Sequence, residues 1–170
     1  MGQLTAQELI THLGLERHVE GGYFSETYRS LELVNTDRSP QPSRSMVTSI
    51  YYLLTKEHPI DYLHVNKSPI IHYFQGGSTI TYYLINPDGQ LETHYLGLNV
   101  AAGEKPQLIV PGGYWKTAVL LRGDYGLIGE AVAPGFEYED MAIATTKEIK
   151  DNFPKIWPTL APYIHPEHHG

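Results

Sequence analysis

Between His64 and Gly123 the chain reads His64-x7-His72, Gly76-Gly77, Thr79-Ile80-Thr81-Tyr82-Tyr83-Leu84-Ile85, Asn86-Pro87-Asp88-Gly89, then Gly103 and Pro111-Gly112-Gly113-Tyr114-Trp115. Thr79 to Ile85 and Leu91 to Leu98 flank an Asp-Gly pair, whose residues tolerate positive φ, so the two runs predict a β-hairpin. Histidines near the end of one strand pair, followed by a proline-glycine turn before another, are a way to bring polar groups into the apolar lumen of a small β-barrel. Strand patterns recur at Gly21 to Arg29, Met46 to Leu54, Ile60 to Val65, Ile70 to Gln75, Gln107 to Val110, Tyr114 to Leu121 and Tyr125 to Ala133. Short strands separated by turn signals every ~8–12 residues predict a mainly β sandwich or barrel.

Outside the strands, Thr5-Ala6-Gln7-Glu8 fits a capping box, and Leu4, Leu9, Ile10, Leu13 and Leu15 mark the apolar face of one short N-terminal helix that Gly14 can end. Asn35 to Arg44 reads as loop and Thr146 to Asn152 as a helical turn. The tail, residues 151–170, carries Pro154, Pro158, Pro162 and Pro166, and is expected to drape over the surface without a helix. The whole chain, 1–170, is read as a single domain with its core at about residues 5–150, since a chain of 170 residues suits one hydrophobic core.

Composition removes several function classes. With no cysteine there are no disulfides, thiolate metal sites or cysteine nucleophiles. A net charge of −7 without a Lys/Arg cluster lacks the basic footprint that nucleic acid requires. No apolar run approaches the ~20 residues of a membrane span, and the start shows no basic region followed by an apolar one. A cytoplasmic protein with a small-molecule ligand is the expectation.

His64 and His72 are the first candidates for chemistry, because a neutral imidazole can act as a base or a metal ligand. The bland reading of either is a hydrogen-bonded core histidine. If Ile70 to Gln75 is a strand, His72 shares a face with Ile70 and Phe74. A firmly held metal needs three or more donors, commonly with a carboxylate. His64 to Gly76 contains no Asp or Glu, and Pro111 to Leu121 offers Tyr114, Trp115 and Lys116 but no histidine. No cofactor is therefore expected; a metal, if held, would use His64, His72 and Glu26. Strand alternation puts Phe24, Glu26 and Tyr28 on one face and Tyr23, Ser25, Thr27 and Arg29 on the other. A Glu26 desolvated between aromatics would have a raised pKa suited to a general base; on a surface strand it would merely pair with a cation. Arg29 can grip a carboxylate or phosphate with its planar fork, or simply cross-link loops. The glycine pairs lack phosphate-loop spacing, and no Gly-x-Ser-x-Gly elbow is present. His165, His168 and His169 lie in a solvated tail.

The strings Glu20-Gly21-Gly22-Tyr23-Phe24-x-Glu26-x-Tyr28-Arg29-Ser30, Ser49-Ile50-Tyr51-Tyr52-Leu53-Leu54, Val110-Pro111-Gly112-Gly113-x-Trp115 and Ala133-Pro134-Gly135-Phe136-x-Tyr138-x-Asp140, together with His64, His72 and Gly76, resemble the Cupin_5 (DUF985) family of cupin-like proteins from about Leu9 to Ile149. The resemblance implies a double-stranded β-helix, or jelly-roll cupin barrel, usually a homodimer, with a ligand pocket inside. Members are sometimes described as predicted sugar epimerases, by analogy to enzymes in which a His base and a Tyr acid move a proton beside a carbonyl. Against the wider cupin pattern, a Glu after the first histidines and a His after the proline-glycine turn are missing. The leading expectation is a metal-independent epimerase or isomerase of a sugar or nucleotide sugar: His72 or His64 as base, Tyr28 as proton donor, Glu26 orienting the base and Arg29 holding an anionic group. The alternative is a non-catalytic binding or sensing module lined by Tyr73, Phe74, Trp115 and Lys116. A metal enzyme using His64, His72 and Glu26 is the third.

Overall fold

The computed structural model describes residues 2–169. Helix α1, Ala6–Leu13, starts with the capping box: Thr5 Oγ1 accepts from the Glu8 amide while the Glu8 carboxylate accepts from the Thr5 amide. Gly14, with φ 62°, closes it. Thirteen strands follow: β1 Glu16–Arg17, β2 Tyr23–Arg29, β3 Leu33–Asn35, β4 Ser43–Ser45, β5 Thr48–Thr55, β6 Ile60–Asn66, β7 Ile70–Gly77, β8 Ile80–Ile85, β9 Leu91–Leu96, β10 Gln107–Val110, β11 Trp115–Val119, β12 Tyr125–Val132 and β13 Met141–Ile143. Two short helices, α2 Thr146–Asn152 and α3 Trp157–Leu160, come after them. No helix among the described residues is long and apolar enough to cross a membrane.

The strands form a six-stranded sheet in the order β1-β2-β5-β12-β7-β10 and a five-stranded sheet in the order β13-β6-β11-β8-β9, with β3-β4 as a separate arm. Each paired ladder is antiparallel. The predicted hairpin is β8–β9, closed by Asn86, whose side-chain oxygen accepts from the Asp88 and Gln90 amides. Period-2 alternation turns Tyr52, Leu54, Leu108, Val110 and Ile128 of one sheet toward Ile80, Tyr82, Leu84, Leu96 and Ala118 of the other, making the inner core of a jelly roll whose two ladders do not close into one cylinder.

The tail departs from the expectation of a draped coil. Leu160 and Ile164 are buried with Leu63, Ile85, Ala144 and Ile149 on the outer face of the five-stranded sheet. Its prolines permit this because Pro158, Pro162 and Pro166 occupy the first two positions of single helical turns, where the missing N–H has no intrahelical partner to lose. At about 1.5–3 kcal/mol for each fully buried aliphatic side chain, the tail contributes to stability. Helix α1 covers the outer face of the other sheet through Leu9, with Leu15 and Leu53.

Two irregularities of register set which side chains face inward. Across β2–β5, Glu26 opposes Ile50 but Tyr28 opposes Ser49, so Thr27 is an extra residue. Across β6–β11, Lys116 opposes His64 and Ala118 opposes Asp61, so Tyr62 and Leu63 share the single partner Thr117. The second bulge lets Asp61 and His64, three residues apart, both point into the barrel while Leu63 packs outside.

Candidate functional site

A cavity of about 340 Å³ opens between the sheets. Its polar floor combines Lys116 of β11, His64 and Asn66 of β6, Glu130 of β12 and Glu20 from the turn before β2. Glu20 is aimed by the two glycines after it. Gly21 has φ 102°, and a Cβ there would lie 2.1 Å from the Ile60 carbonyl oxygen. The Tyr62 amide donates to the Glu20 carbonyl at 2.6 Å, and the Tyr52 hydroxyl donates to the Gly21 carbonyl. The Glu20-Gly21-Gly22 string thus makes a tight connection that delivers a carboxyl to the barrel floor.

His64 Nδ1 lies 2.6 Å from the Tyr62 carbonyl, which only accepts, so Nδ1 carries the proton and Nε2 keeps a lone pair. That Nε2 is 3.1 Å from Glu20 Oε2. Burial pushes His64 well below its ordinary value, and the Lys116 ammonium adds to the effect. Burial also raises Glu20 to about 7, with Lys116 pulling against it and Glu130 adding to it. Glu20 therefore exchanges its proton near neutral pH, beside a neutral imidazole whose Nε2 accepts a hydrogen bond from the protonated carboxyl. Asp61, 3.6 Å from His64 Nδ1, is likewise pushed well above the usual carboxylate range by burial.

Behind this pair stands a second imidazole. His72 Nε2 is 3.5 Å from Lys116 Nζ, and its Nδ1 is 3.2 Å from Glu130 Oε1 and 3.1 Å from the Tyr82 hydroxyl. An ammonium only donates, so Nε2 accepts from Lys116 and Nδ1–H donates to Glu130. Burial opposes charge on both ends of this chain, yet the Glu130, Asp61 and Glu20 carboxyls keep the Lys116 pKa raised, while Lys116 and His72 hold Glu130 below its ordinary value. The result is a buried ion pair bridged by a neutral histidine, with Lys116 only 2 % exposed.

The mouth is aromatic. His18 meets Phe24 edge-on at 4.5 Å and stacks near Tyr138 at 6.3 Å, and burial lowers its pKa to about 4, so it is neutral at pH 7. Arg29 spans the rim: Nε and Nη2 each donate to Glu26 at 2.9 Å, Nη1 donates to Glu137 at 2.8 Å, and Nη2 also reaches the Phe136 carbonyl at 3.1 Å. The segment carrying Phe136 and Tyr138 is anchored further on by Asp140, which accepts from Arg44 and Arg38 in a buried cluster.

His64, Glu26, Arg29 and Lys116 line this cavity as a group, whereas His72 sits one layer behind its wall. Tyr28 does not line it. The bulge at Thr27 turns Tyr28 away from the Glu26 face, leaving it 55 % exposed, and brings Arg29 to the rim in its place. Arg29 directs four of its five N–H donors to two carboxylates and a carbonyl, so its planar fork is not presented to an anion in the cavity. Glu26 is bound by Arg29 and orients no histidine. Tyr73 alternates with His72 and faces outward; Phe74 packs into the inner core, and Trp115 packs with the tail outside the barrel. The residues that reading the chain missed are Glu20, Asp61, Glu130, His18 and Tyr82. Glu130 had a signal, because it shares an inward strand face with Ile128 and Val132. Asp61 and Glu20 had none, as their orientation depends on a bulge and a turn.

His64, His72 and Glu26 do not converge as a metal set. Among the described residues, Glu20, Asp61 and His64 do, with donor atoms within 4.8 Å of one another. Two acceptors in this region, Asp61 Oδ1 and Asn66 Oδ1, have no hydrogen-bond partner, and His64 Nε2 faces only the Glu20 carboxyl. The trio nevertheless does not suit a divalent ion, because the Lys116 ammonium stands directly opposite His64 and already draws on the same carboxyls.

Comparison with known proteins agrees with this architecture. The model of the cupin superfamily (DUF985) family matches residues 7–144. An uncharacterized protein of Saccharomyces cerevisiae, YML079W, is 40% identical over 146 residues, covering 79% of this chain and 72% of its own. A hypothetical protein from Leishmania major superposes with a TM-score of 0.87 at 28% identity, over 95% of this chain and 99% of its own. A protein from Shewanella oneidensis superposes with a TM-score of 0.85 at 32% identity, over 96% and 99% of the two chains. With the matched model covering most of the sequence and both sheets of the jelly roll accounted for, the chain belongs to the DUF985 family of the cupin superfamily.

Proposed function

We propose that the barrel binds a small polar metabolite bearing a carbonyl next to an acidic C–H, and shifts that proton as a metal-independent isomerase or epimerase. The observation that carries this reading is the Glu20–His64 contact of 3.1 Å on the cavity floor, beside the Lys116 ammonium. Ionised Glu20 takes the proton as the C–H bond breaks, and the electron pair moves onto the carbonyl oxygen. Lys116 stabilises the resulting enolate oxygen, a charge that develops only along the reaction. The protonated Glu20 carboxyl, hydrogen-bonded to the His64 Nε2 lone pair 3.1 Å away, keeps the proton and returns it to carbon. A carboxyl poised near 7 suits this work, since acid–base catalysis is most efficient when the pKa lies near the operating pH. His72 and Glu130 position the ammonium.

The volume sets the ligand's size. About 340 Å³ is at the low end of the ~300–1,000 Å³ usual for ligand pockets. A sugar-sized molecule fits such a space, and the nucleotide of a nucleotide sugar would project past Phe136 and Tyr138. Deuterium incorporation from solvent into a panel of keto- and aldo-sugars, followed by mass spectrometry, tests the chemistry. Exchange abolished by Glu20→Gln supports it, and no exchange with any candidate defeats it. The aromatic mouth favours a second reading, a binding module, for which metabolites would raise the melting temperature without any exchange.

A second copy of the chain is the proposed partner. Leu31 is 96 % exposed, and Leu33, Met46 and Tyr28 are also exposed on and beside the β3–β4 arm, an apolar surface of the kind that association covers. A solution mass near 19.1 kDa by light scattering would refute dimerisation.

A further inference from the structure

Lys116 shares the barrel floor with three carboxyls and two imidazoles, each less than a tenth exposed: it contacts His72 at 3.5 Å, His72 contacts Glu130, and His64, opposite Lys116 in register, lies 3.1 Å from Glu20 and 3.6 Å from Asp61. By donor chemistry this is a cation site, since oxygen and imidazole ligands of this kind hold Zn²⁺ and Mn²⁺. Asp61 Oδ1 and Asn66 Oδ1 have no hydrogen-bond partner, and His64 Nε2 faces only the Glu20 carboxyl, 3.1 Å away, so the cluster presents acceptor atoms of the kind a cation binds. Lys116 is the cation that these groups share; the other cation lining the cavity, Arg29, is held at the rim by Glu26 and Glu137.

We propose that Lys116 is a resident cation: its ammonium takes the electrostatic place of a divalent metal in the barrel floor, and its presence keeps such a metal out. The site's preference for an organic ligand over an ion therefore rests on this one side chain. The geometry supplies the reason. Lys116 opposes His64 across the β6–β11 ladder, donates to His72 Nε2 at 3.5 Å and faces Glu130 through that imidazole. An ion on Glu20, Asp61 and His64 would sit among groups already neutralising an ammonium, in a buried space where like charges are poorly screened. Replacing Lys116 with a neutral side chain leaves the carboxyls uncompensated, and a divalent ion is the natural replacement. This inference concerns binding and stands whether or not the site moves a proton.

Calorimetric titration with Zn²⁺ and with Mn²⁺ tests it. All proteins carry His165→Ala and His168→Ala, because His165, Glu167 and His168 form a separate, more accessible trio on the surface. The parent and Lys116→Arg are expected to show no saturable site in the barrel. Lys116→Gln is expected to bind one ion at least about a hundredfold more tightly than the parent, or ~2.7 kcal/mol at 1.36 kcal/mol per tenfold, and to lose that binding when Asp61→Asn is added. Asp61-dependent binding in the parent overturns the proposal, as does a folded Lys116→Gln that binds no more tightly. If Lys116→Gln is unfolded as isolated, refolding is compared in Zn²⁺ and in chelator. Recovery of the near-ultraviolet circular dichroism only with Zn²⁺ supports a resident cation, and failure with both counts against it.

Discussion

Replacing Glu20 with Gln should change how stability depends on pH, and the sign follows from the site. Burial holds the native Glu20 carboxyl at about 7, against 4.5 in an unfolded chain. Between those values the native state keeps a proton that the unfolded state has released, so raising the pH favours unfolding. The stabilising contribution is complete below about 4.5 and is lost as pH rises through about 7. A difference of about 2.5 pH units at 1.36 kcal/mol each is about 3 kcal/mol. Gln keeps the shape without the titration. Glu20→Gln should therefore match the parent at pH 4.5 and exceed it by up to about 3 kcal/mol at pH 8.5, or roughly 6–12 °C in Tm for a chain of this size. Urea unfolding at half-unit pH intervals, read as the difference between the two proteins, measures this directly. A difference that stays flat from pH 4.5 to 8.5 would refute the claim that Glu20 is a buried carboxyl poised near neutrality, and with it the assignment of Glu20 as the base.

Asp140→Ala leaves two arginines, one of them buried, without their carboxylate, and should cost about 3–5 kcal/mol in urea unfolding. Leu160→Ala should cost about 2–5 kcal/mol, since the side chain is fully buried under the five-stranded sheet; a loss below ~0.5 kcal/mol would mean that the tail does not pack as described. Gly21→Ala forces a Cβ to 2.1 Å from the Ile60 carbonyl at a φ of 102°, so it should both lower Tm and weaken ligand-induced stabilisation by displacing Glu20. Tyr28→Phe, by contrast, should leave ligand binding and exchange at parental levels, and a tenfold loss would contradict the outward orientation of that ring.

Much of the architecture was legible because it depends on local chemistry. The Asn86 to Gly89 turn, the Thr5/Glu8 capping box and the alternation of Thr79 to Ile85 each act within a few residues, and each appears in the structure where the chain announced it. The tail is not legible from its prolines, because a proline that breaks a helix interior costs no hydrogen bond at the start of a turn. Residue type and position in the chain mark His64, Lys116, Glu26 and Arg29 as site candidates, and all four line the cavity. Tyr28 was placed beside Glu26 by strict alternation, and a single extra residue at Thr27 reversed it.

The strands, their turns, the capped helix and the family strings are written in the chain, because periodicity and turn chemistry are properties of neighbouring residues. What occupies the barrel floor emerges only when distant segments pack together. A one-residue bulge moves every following side chain to the other face, which no period in the chain records. The chemistry of Glu20, Lys116 and the two histidines is likewise non-local. Their protonation depends on burial and on charges delivered from four different segments, so the same residues in an exposed loop would titrate as ordinary acids and bases.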